Sequence, residues 1–247
     1  MNRVGSPSPV TAPSQAVPWV LIGAAHVVDL TAPLRATLAG RPLDGIAIEL
    51  DPERAAAMFA PPGQAAQRSG GPLFAKLWSI LQRRLGASIG GGLPGAEMRT
   101  AMAVARERNL PVFLIDDPIR TTLVSLVRSM PFKERVGLLF GSVVGLFIPS
   151  RVVVGEMERY TDSPEEFVEE LRRVSPTIAR VLLDERNEHM AERLVSLRDH
   201  GVAHLAIVVG DAHVSGLGAA LARRGIAVES VPFRVLRGAT APSSTPA

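Results

Sequence analysis

Apolar residues in this chain come in short runs that stop at glycine or proline and give way to segments with helical spacing. Val17 to Ile22 is the first run, and it ends at Gly23. His204 to Val209 is a similar run near the other end, and it stops at Gly210. Ile46 to Leu50, Pro111 to Ile115 and Ala227 to Val235 are three more. Short apolar runs bounded by turn residues read as buried strands. Pro18 stands at the start of the first, where a missing N–H is tolerated. Between the strands, helical spacing predicts helices over Val28 to Ala39, Pro52 to about Ala60, Leu73 to Leu85 and Pro94 to Arg108. Further helices are expected over Pro118 to Met130, Phe132 to Ile148, 164–174, 176–199 and Ser215 to Arg224. Asp162-Ser163-Pro164-Glu165-Glu166 is a helix start, with a cap residue, an early proline and acids at the positive dipole end. Strands alternating with helices predict an α/β fold: a mostly parallel central sheet flanked by helices, with a helical cap or insertion. The expected layout is a loose tail over 1–16, one domain over 17–237 with 118–199 as its helical layer, and a second tail over 238–247.

The first and fourth runs end alike. Leu21-Ile-Gly-Ala-Ala-His-Val-Val-Asp-Leu30 and Val208-Val-Gly-Asp-Ala-His-Val-Ser-Gly-Leu217 share the glycine, the second alanine, the histidine, the next valine and the last leucine. Glycine lets the backbone turn as a strand ends, and ligands of open α/β sheets bind outside the carboxyl ends of the strands. His26 and His213 are thereby expected at one edge. Glu49 with Asp51, and Asp116 with Asp117, end two other strands. Two histidines and one or two carboxylates make a plausible metal site with open positions. The plainer alternatives are that strand-end acids cap helices and that a lone strand-end histidine is hydrogen-bonded structure. Glu185 and Arg186, beside apolar Val181-Leu182-Leu183, either turn inward or form an exposed ion pair. His189, His200 and His204 have no partner pattern.

Composition narrows the chemistry. There is no cysteine among the 247 residues, which excludes disulfides, thiolate metal sites and cysteine nucleophiles. Any metal is then held by His, Asp or Glu, which suits Zn, Mn, Fe, Co or Mg more than copper, and Mn, Co or Zn is the expected ion. The net charge is +3, with basic residues spread beside acidic ones, so no nucleic-acid partner is expected. The start does not read as a signal peptide. No run reaches the ~20 apolar residues of a membrane span. Val136 to Ile148, with Gly141 and Gly145, is read as a buried helix or the seam of a homo-oligomer. His-Glu-x-x-His and Gly-x-Ser-x-Gly are both absent.

Seven blocks in order carry a family resemblance from Trp19 to about Leu221. They are Gly23-Ala-Ala-His26-Val27; Ala47-Ile-Glu49-Leu-Asp51 with Arg54; Leu81-Gln-Arg-Arg-Leu-Gly86; Pro94-Gly-Ala-Glu97-Met98; Leu114-Ile-Asp116 with Thr122-Leu123; Asp184-Glu-Arg186 with Met190-Ala191; and Val208-Val-Gly210-Asp-Ala-His213-Val214. On these residues the chain resembles the TraB/PrgY family, whose relatives include the animal Tiki proteins. The resemblance implies a role in pheromone shutdown, that is, in silencing secreted peptide signals in some bacteria, and, for the Tiki relatives, metal-dependent proteolysis through the two Gly-x-x-His motifs. It also suggests kinship with erythromycin-esterase and haem-binding ChaN-like folds. It points to His26, His213 and Glu49 as metal ligands, and to Glu49, Glu97, Glu185 and Arg186 as catalytic candidates. The chain departs from the family pattern at Ala24, Asp211, Asp117-Pro118, Asn187, where an aspartate is usual, and His189. The C-terminal membrane helices of many members are missing, which sets the expectation of a cytoplasmic, at most membrane-peripheral, protein. Three readings follow: a metal-dependent hydrolase acting on a peptide, a non-catalytic protein that sequesters a peptide or small molecule, and a structural protein that assembles through Val136 to Ile148.

Overall fold

The structure is a computed structural model that describes residues 18–24, 30–59, 95–137 and 163–238. Within them lie strands β1 (Trp19–Ala24), β2 (Gly45–Ile48), β3 (Val112–Leu114), β4 (Leu205–Gly210) and β5 (Val228–Val231). They form one sheet in the order β3-β2-β4-β1-β5, and every pairing is parallel. The expected α/β class with a parallel central sheet is therefore found. All carboxyl ends share one edge. The two Gly-x-x-His strands, β1 and β4, are direct neighbours, with Ala24 level with Gly210.

The period-two alternation of each strand divides the core. Val20, Ile22, Ile46, Ile48, Ala206 and Val208 face one side. They meet α1 (Thr31–Ala39), α3 (Ala96–Glu107) and α9 (Phe233–Gly238) through Leu34, Leu38, Ala101, Val104 and Phe233. Leu21, Ala47, Ile207 and Val209 face the other side. They meet α7 (Glu185–Asp199) and α8 (Asp211–Arg223) through Met190, Leu194, Leu217 and Leu221. β1 and the centre of β4 are buried on both faces, which explains their unbroken apolar runs. α3, α7 and α8 each lead back to the start of a parallel strand, so each begins at the carboxyl edge. This geometry brings their first turns, carrying Glu97, Arg186 and His213, to that edge.

Four local outcomes differ from the pattern reading. α8 starts at Asp211, directly after Gly210, not at Ser215, so His213 belongs to a first helical turn and is not in a loop. β5 stops at Val231 because Pro232 lacks an N–H to extend the ladder, and Phe233–Gly238 coil into α9. β2 stops at Ile48, and Asp51 caps α2 (Pro52–Phe59) by accepting the N–H groups of Glu53 and Arg54. The helix expected over 176–199 is α6 (Pro176–Ala179), a π-helical turn (Arg180–Asp184) and α7. In the π turn the Glu185 N–H reaches back to the Arg180 carbonyl, one residue beyond an α-helical bond.

Of the stretch expected to form a helical layer, α7 packs on the sheet itself. α4 (Ile119–Ser129) joins the π turn in a small separate core of Leu126, Met130 and Val181. α5 (Pro164–Val174) packs beside α6 and α8. The predicted helix over 73–85, most of 136–148, the first tail and the second tail beyond Gly238, which ends α9, lie outside the described residues. Among the described residues no helix is long and apolar enough to cross a membrane.

Candidate functional site

Glu49 is the first residue past β2, and it leans across to the end of β4. Its Oε2 accepts the Gly210 N–H at 2.6 Å. A side chain at position 210 would crowd that oxygen, since a Cβ there would lie 3.3 Å from it. His213, in the first turn of α8, brings Nε2 to 3.4 Å from Glu49 Oε1. Both residues are buried, at 8% and 4% exposure.

Arg186 joins them from the second position of α7. Its Nη2 lies 2.5 Å from Glu49 Oε1 and 2.7 Å from Asp116 Oδ2. Its Nε donates to Asp116 Oδ1 at 3.0 Å. Its Nη1 donates to the Leu182 carbonyl at 3.1 Å, inside the π turn, and meets His213 Nε2 at 3.2 Å. A guanidinium only donates, so Nε2 of His213 presents its lone pair. The proton of a neutral ring then sits on Nδ1, which lies 2.8 Å from Asn187 Oδ1. Burial disfavours the charge on Arg186, but Glu49 and Asp116 outweigh it and hold the guanidinium above its ordinary pKa.

Around this core the charges are dense. Arg54 Nη1 donates to Asp116 Oδ2 at 3.0 Å. Asp51 is fully buried, and among the described residues its Oδ2 has no hydrogen-bond partner; Arg54 Nε stands 4.0 Å away. Three buried carboxylates, Glu49, Asp51 and Asp116, thus face two guanidinium groups, Arg54 and Arg186. Farther out, Asp117 pairs with Arg193 at 2.7 Å and His189 at 2.5 Å. Arg193 also donates to the Asp116 carbonyl.

The two repeated motifs touch through Asp211 and Gly23. A Cβ on Gly23 would lie 1.9 Å from Asp211 Oδ1 and 2.8 Å from Val214 Cγ2. The first motif's glycine thus leaves the space that the second motif's aspartate occupies. The same oxygen accepts the Phe233 N–H at 2.8 Å. Burial pushes the Asp211 carboxyl above its ordinary value; the Phe233 N–H opposes that, while Glu165 adds to it.

The residues predicted from sequence separate as follows. Glu49, Arg186 and His213 come together. Glu97 is buried at 3% exposure in the first turn of α3, on the opposite face of the sheet from α7. Glu185 points outward and pairs with Arg180, so the exposed ion pair is its outcome while its neighbour Arg186 turns inward. His26 lies outside the described residues. His204 pairs with Asp44 at 3.3 Å, and His200 Nδ1 lies 2.6 Å from the Ser196 carbonyl. Sequence reasoning missed Asn187 and Arg54 as members of the cluster and gave Asp116 no central place. The available signals were the adjacency of Asn187 to Arg186 and the place of Arg54 in the first turn of the helix that Asp51 caps.

His213 Nε2 and Glu49 Oε1 are donor types that divalent ions take. A metal-ligating imidazole donates its other ring N–H to an outer partner, as His213 Nδ1 does to Asn187 Oδ1. The 3.4 Å between Nε2 and Glu49 Oε1 is close to the ~3.3 Å between two donors bonded at ~2.0–2.1 Å in a tetrahedral site. Arg186 engages both of those atoms in the structure. Among the described residues no group of three or more His, Asp or Glu side chains is arranged to hold an ion.

The sequence model of the TraB/PrgY/gumN family matches residues 11–230. An uncharacterized protein of Methanocaldococcus jannaschii is 32% identical over 206 residues, a match that covers 80% of this chain and 51% of that protein. The chain therefore spans about half the length of this curated relative. With a family match over nearly its whole length, the chain belongs to the TraB/PrgY/gumN family.

Proposed function

We propose that this chain is a metal-dependent hydrolase that cleaves a peptide, such as a secreted signal. The observation that carries the reading is the buried Glu49–His213 pair, 3.4 Å apart at the carboxyl edge of the sheet. His213 Nε2, Glu49 Oε1 and His26 would hold the ion, with Mn, Co or Zn as the candidates. When bound, such an ion polarises a carbonyl and lowers the pKa of water. If Glu49 is not itself a ligand, Glu49 or Glu97 would take the proton of the attacking water as a general base. Arg186, oriented by Asp116, which Arg54 also holds, would offer a fixed positive charge to a developing oxyanion. Glu97 is the second carboxylate candidate from the same edge. Glu185, tied to Arg180 on the surface, receives no role.

The test is cleavage of a synthetic peptide library by the full chain with added Mn, Co or Zn, read by mass spectrometry. Cleavage is expected, with a loss of about 10²–10⁴-fold in Glu49→Gln, the range for removal of a general base. His213→Ala is expected to be inactive. Full turnover in either variant refutes the assignment.

One observation favours the non-catalytic alternative. Arg186 already engages both Glu49 and His213, an arrangement that needs no further ligand. A sequestering protein would retain the peptide intact in stoichiometric amount. Cytoplasmic location and homo-oligomerisation belong to the same proposal, to be checked by cell fractionation and solution mass.

A further inference from the structure

We propose that the cavity between α5, α7 and α8 is a binding site for the N-terminal residue of a peptide, taking its ammonium group and its first carbonyl. This deepens the proposed reading of a peptide ligand, but its test does not require cleavage. The cavity measures about 270 Å³, just below the ~300–1,000 Å³ of small-molecule pockets. It therefore suits one end of a peptide, not its whole length.

Asn187 supplies the first observation. It lines the cavity and is buried, at 5% exposure. Its carbonyl faces His213 Nδ1 at 2.8 Å, which leaves its NH₂ group turned away from the ring. That group lies over Gly216, where a Cβ would fall 2.2 Å from Nδ2. A side chain at position 216 would close the cavity against the amide. Among the described residues Nδ2 has no acceptor. A buried donor left unpaired is costly, so this end of the cavity calls for a ligand oxygen.

The rest of the lining calls for a cation. Asp211, half-buried at the start of α8, lines the cavity with Glu165 and Glu169, which are exposed on α5. Asp211 Oδ1 accepts the Phe233 N–H. Among the described residues neither Glu165 nor Glu169 forms an ion pair. The cation in the lining, Arg172, is committed to both oxygens of Asp184. Arg234 acts on Asp211 without forming an ion pair with it. Negative charge is therefore in excess. Burial and the nearby Glu165 hold the Asp211 carboxyl above its ordinary value, and an ammonium seated beside both would oppose that shift.

A peptide N-terminus carries both groups together: an ammonium for the carboxylates and the carbonyl of the same residue for Asn187. A lysine side chain brings the ammonium without the carbonyl. An acetylated N-terminus brings carbonyls without the charge. Because Asn187 faces Nδ1 of His213 while Glu49 faces Nε2, the cavity adjoins the edge site across the imidazole ring.

The experiment is a titration of the full-length chain, metal-free in EDTA, with the amide of alanyl-alanyl-alanine. Binding is followed on the Asn187 side-chain NH₂ signal in ¹H–¹⁵N NMR. Saturable binding that shifts this signal is expected. The N-acetylated tripeptide amide should bind about tenfold more weakly, the order of a lost hydrogen bond to a charged group. The amide of Nα-acetyl-lysine should also bind more weakly and leave the Asn187 signal in place. Glu165→Gln combined with Asp211→Asn should remove the preference for the free N-terminus. Gly216→Ala should abolish binding by filling the cavity; if it does not fold, the charge variants carry the test. Equal affinity for the free and acetylated peptides, a lysine amide that binds as tightly as the free peptide, or no saturable binding overturns the proposal. A chain that binds the free peptide as expected yet cleaves none refutes the hydrolase reading alone. Cleavage by a chain whose charge variants keep full preference for the free N-terminus refutes this inference alone.

Discussion

Replacing Arg186 with methionine removes the cation at the centre of the edge cluster while keeping most of the stem that packs beside it. The side chain is 13% exposed and touches Glu49, both oxygens of Asp116, the Leu182 carbonyl and His213. Arg54 would still hold Asp116 Oδ2. Glu49 would keep the Gly210 N–H but lose its cation. Breaking a buried ion pair by removing one partner costs about 3–5 kcal/mol. That is a large share of the ~5–15 kcal/mol that holds a domain together. The assay is urea unfolding near neutral pH with EDTA present, so that no ion replaces the lost charge. The prediction sharpens in a double-mutant cycle. Glu49→Gln, made in the Arg186→Met background, removes the carboxylate that has lost the Arg186 guanidinium. It should cost less there than in the parent, by about 0.5–3 kcal/mol, the range for residues in direct contact. An Arg186→Met effect below about 1 kcal/mol, the level of a surface pair, would refute the account, and so would additivity with Glu49→Gln.

Two other outcomes follow from Asp211. Gly23→Ala should destabilise by about 1–3 kcal/mol, the usual effect of overpacking, because the methyl would meet Asp211 Oδ1 and Val214. Asp211→Ala should recover part of that loss in thermal unfolding of the double variant, and no recovery would separate the two motifs. Asp211→Asn tests the raised carboxyl, whose ionised form costs stability. The cost is present in full above the folded-state pKa and vanishes below the unfolded one. The variant should therefore melt higher than the parent near neutral pH and lose its advantage in acid; an advantage that grows on acidification contradicts this.

Much of the fold was legible because apolar strands of a parallel sheet are buried on both faces. β1 and β4 therefore stood out as unbroken runs, each ending in the same Gly-x-x-His pattern. Glu49 and Arg186 were legible as an acid at a strand end and a base beside apolar residues. The exact helix ends were not. Asp211 reads as a turn residue, but it starts α8 and bonds the Phe233 N–H, a partner 22 residues away that no local pattern reveals. The π turn before Arg186 was also hidden, since its residues keep an ordinary helical pattern. Asn187 and Asp116 owe their roles to side chains that converge from different elements. Only the tertiary packing brings α7 against α8, and with it the close approach of Asn187 to Gly216.

The functional account depends most on His26, Glu49 and His213 serving one divalent ion. Elemental analysis of the purified chain, supplied with Mn, Co and Zn and compared with His26→Ala and His213→Ala, tests this directly. The account predicts about one ion per chain, as for a single-ion catalytic site, lost in both variants while circular dichroism shows the fold intact. No bound ion in the supplemented parent, or an ion that both variants retain, would contradict it.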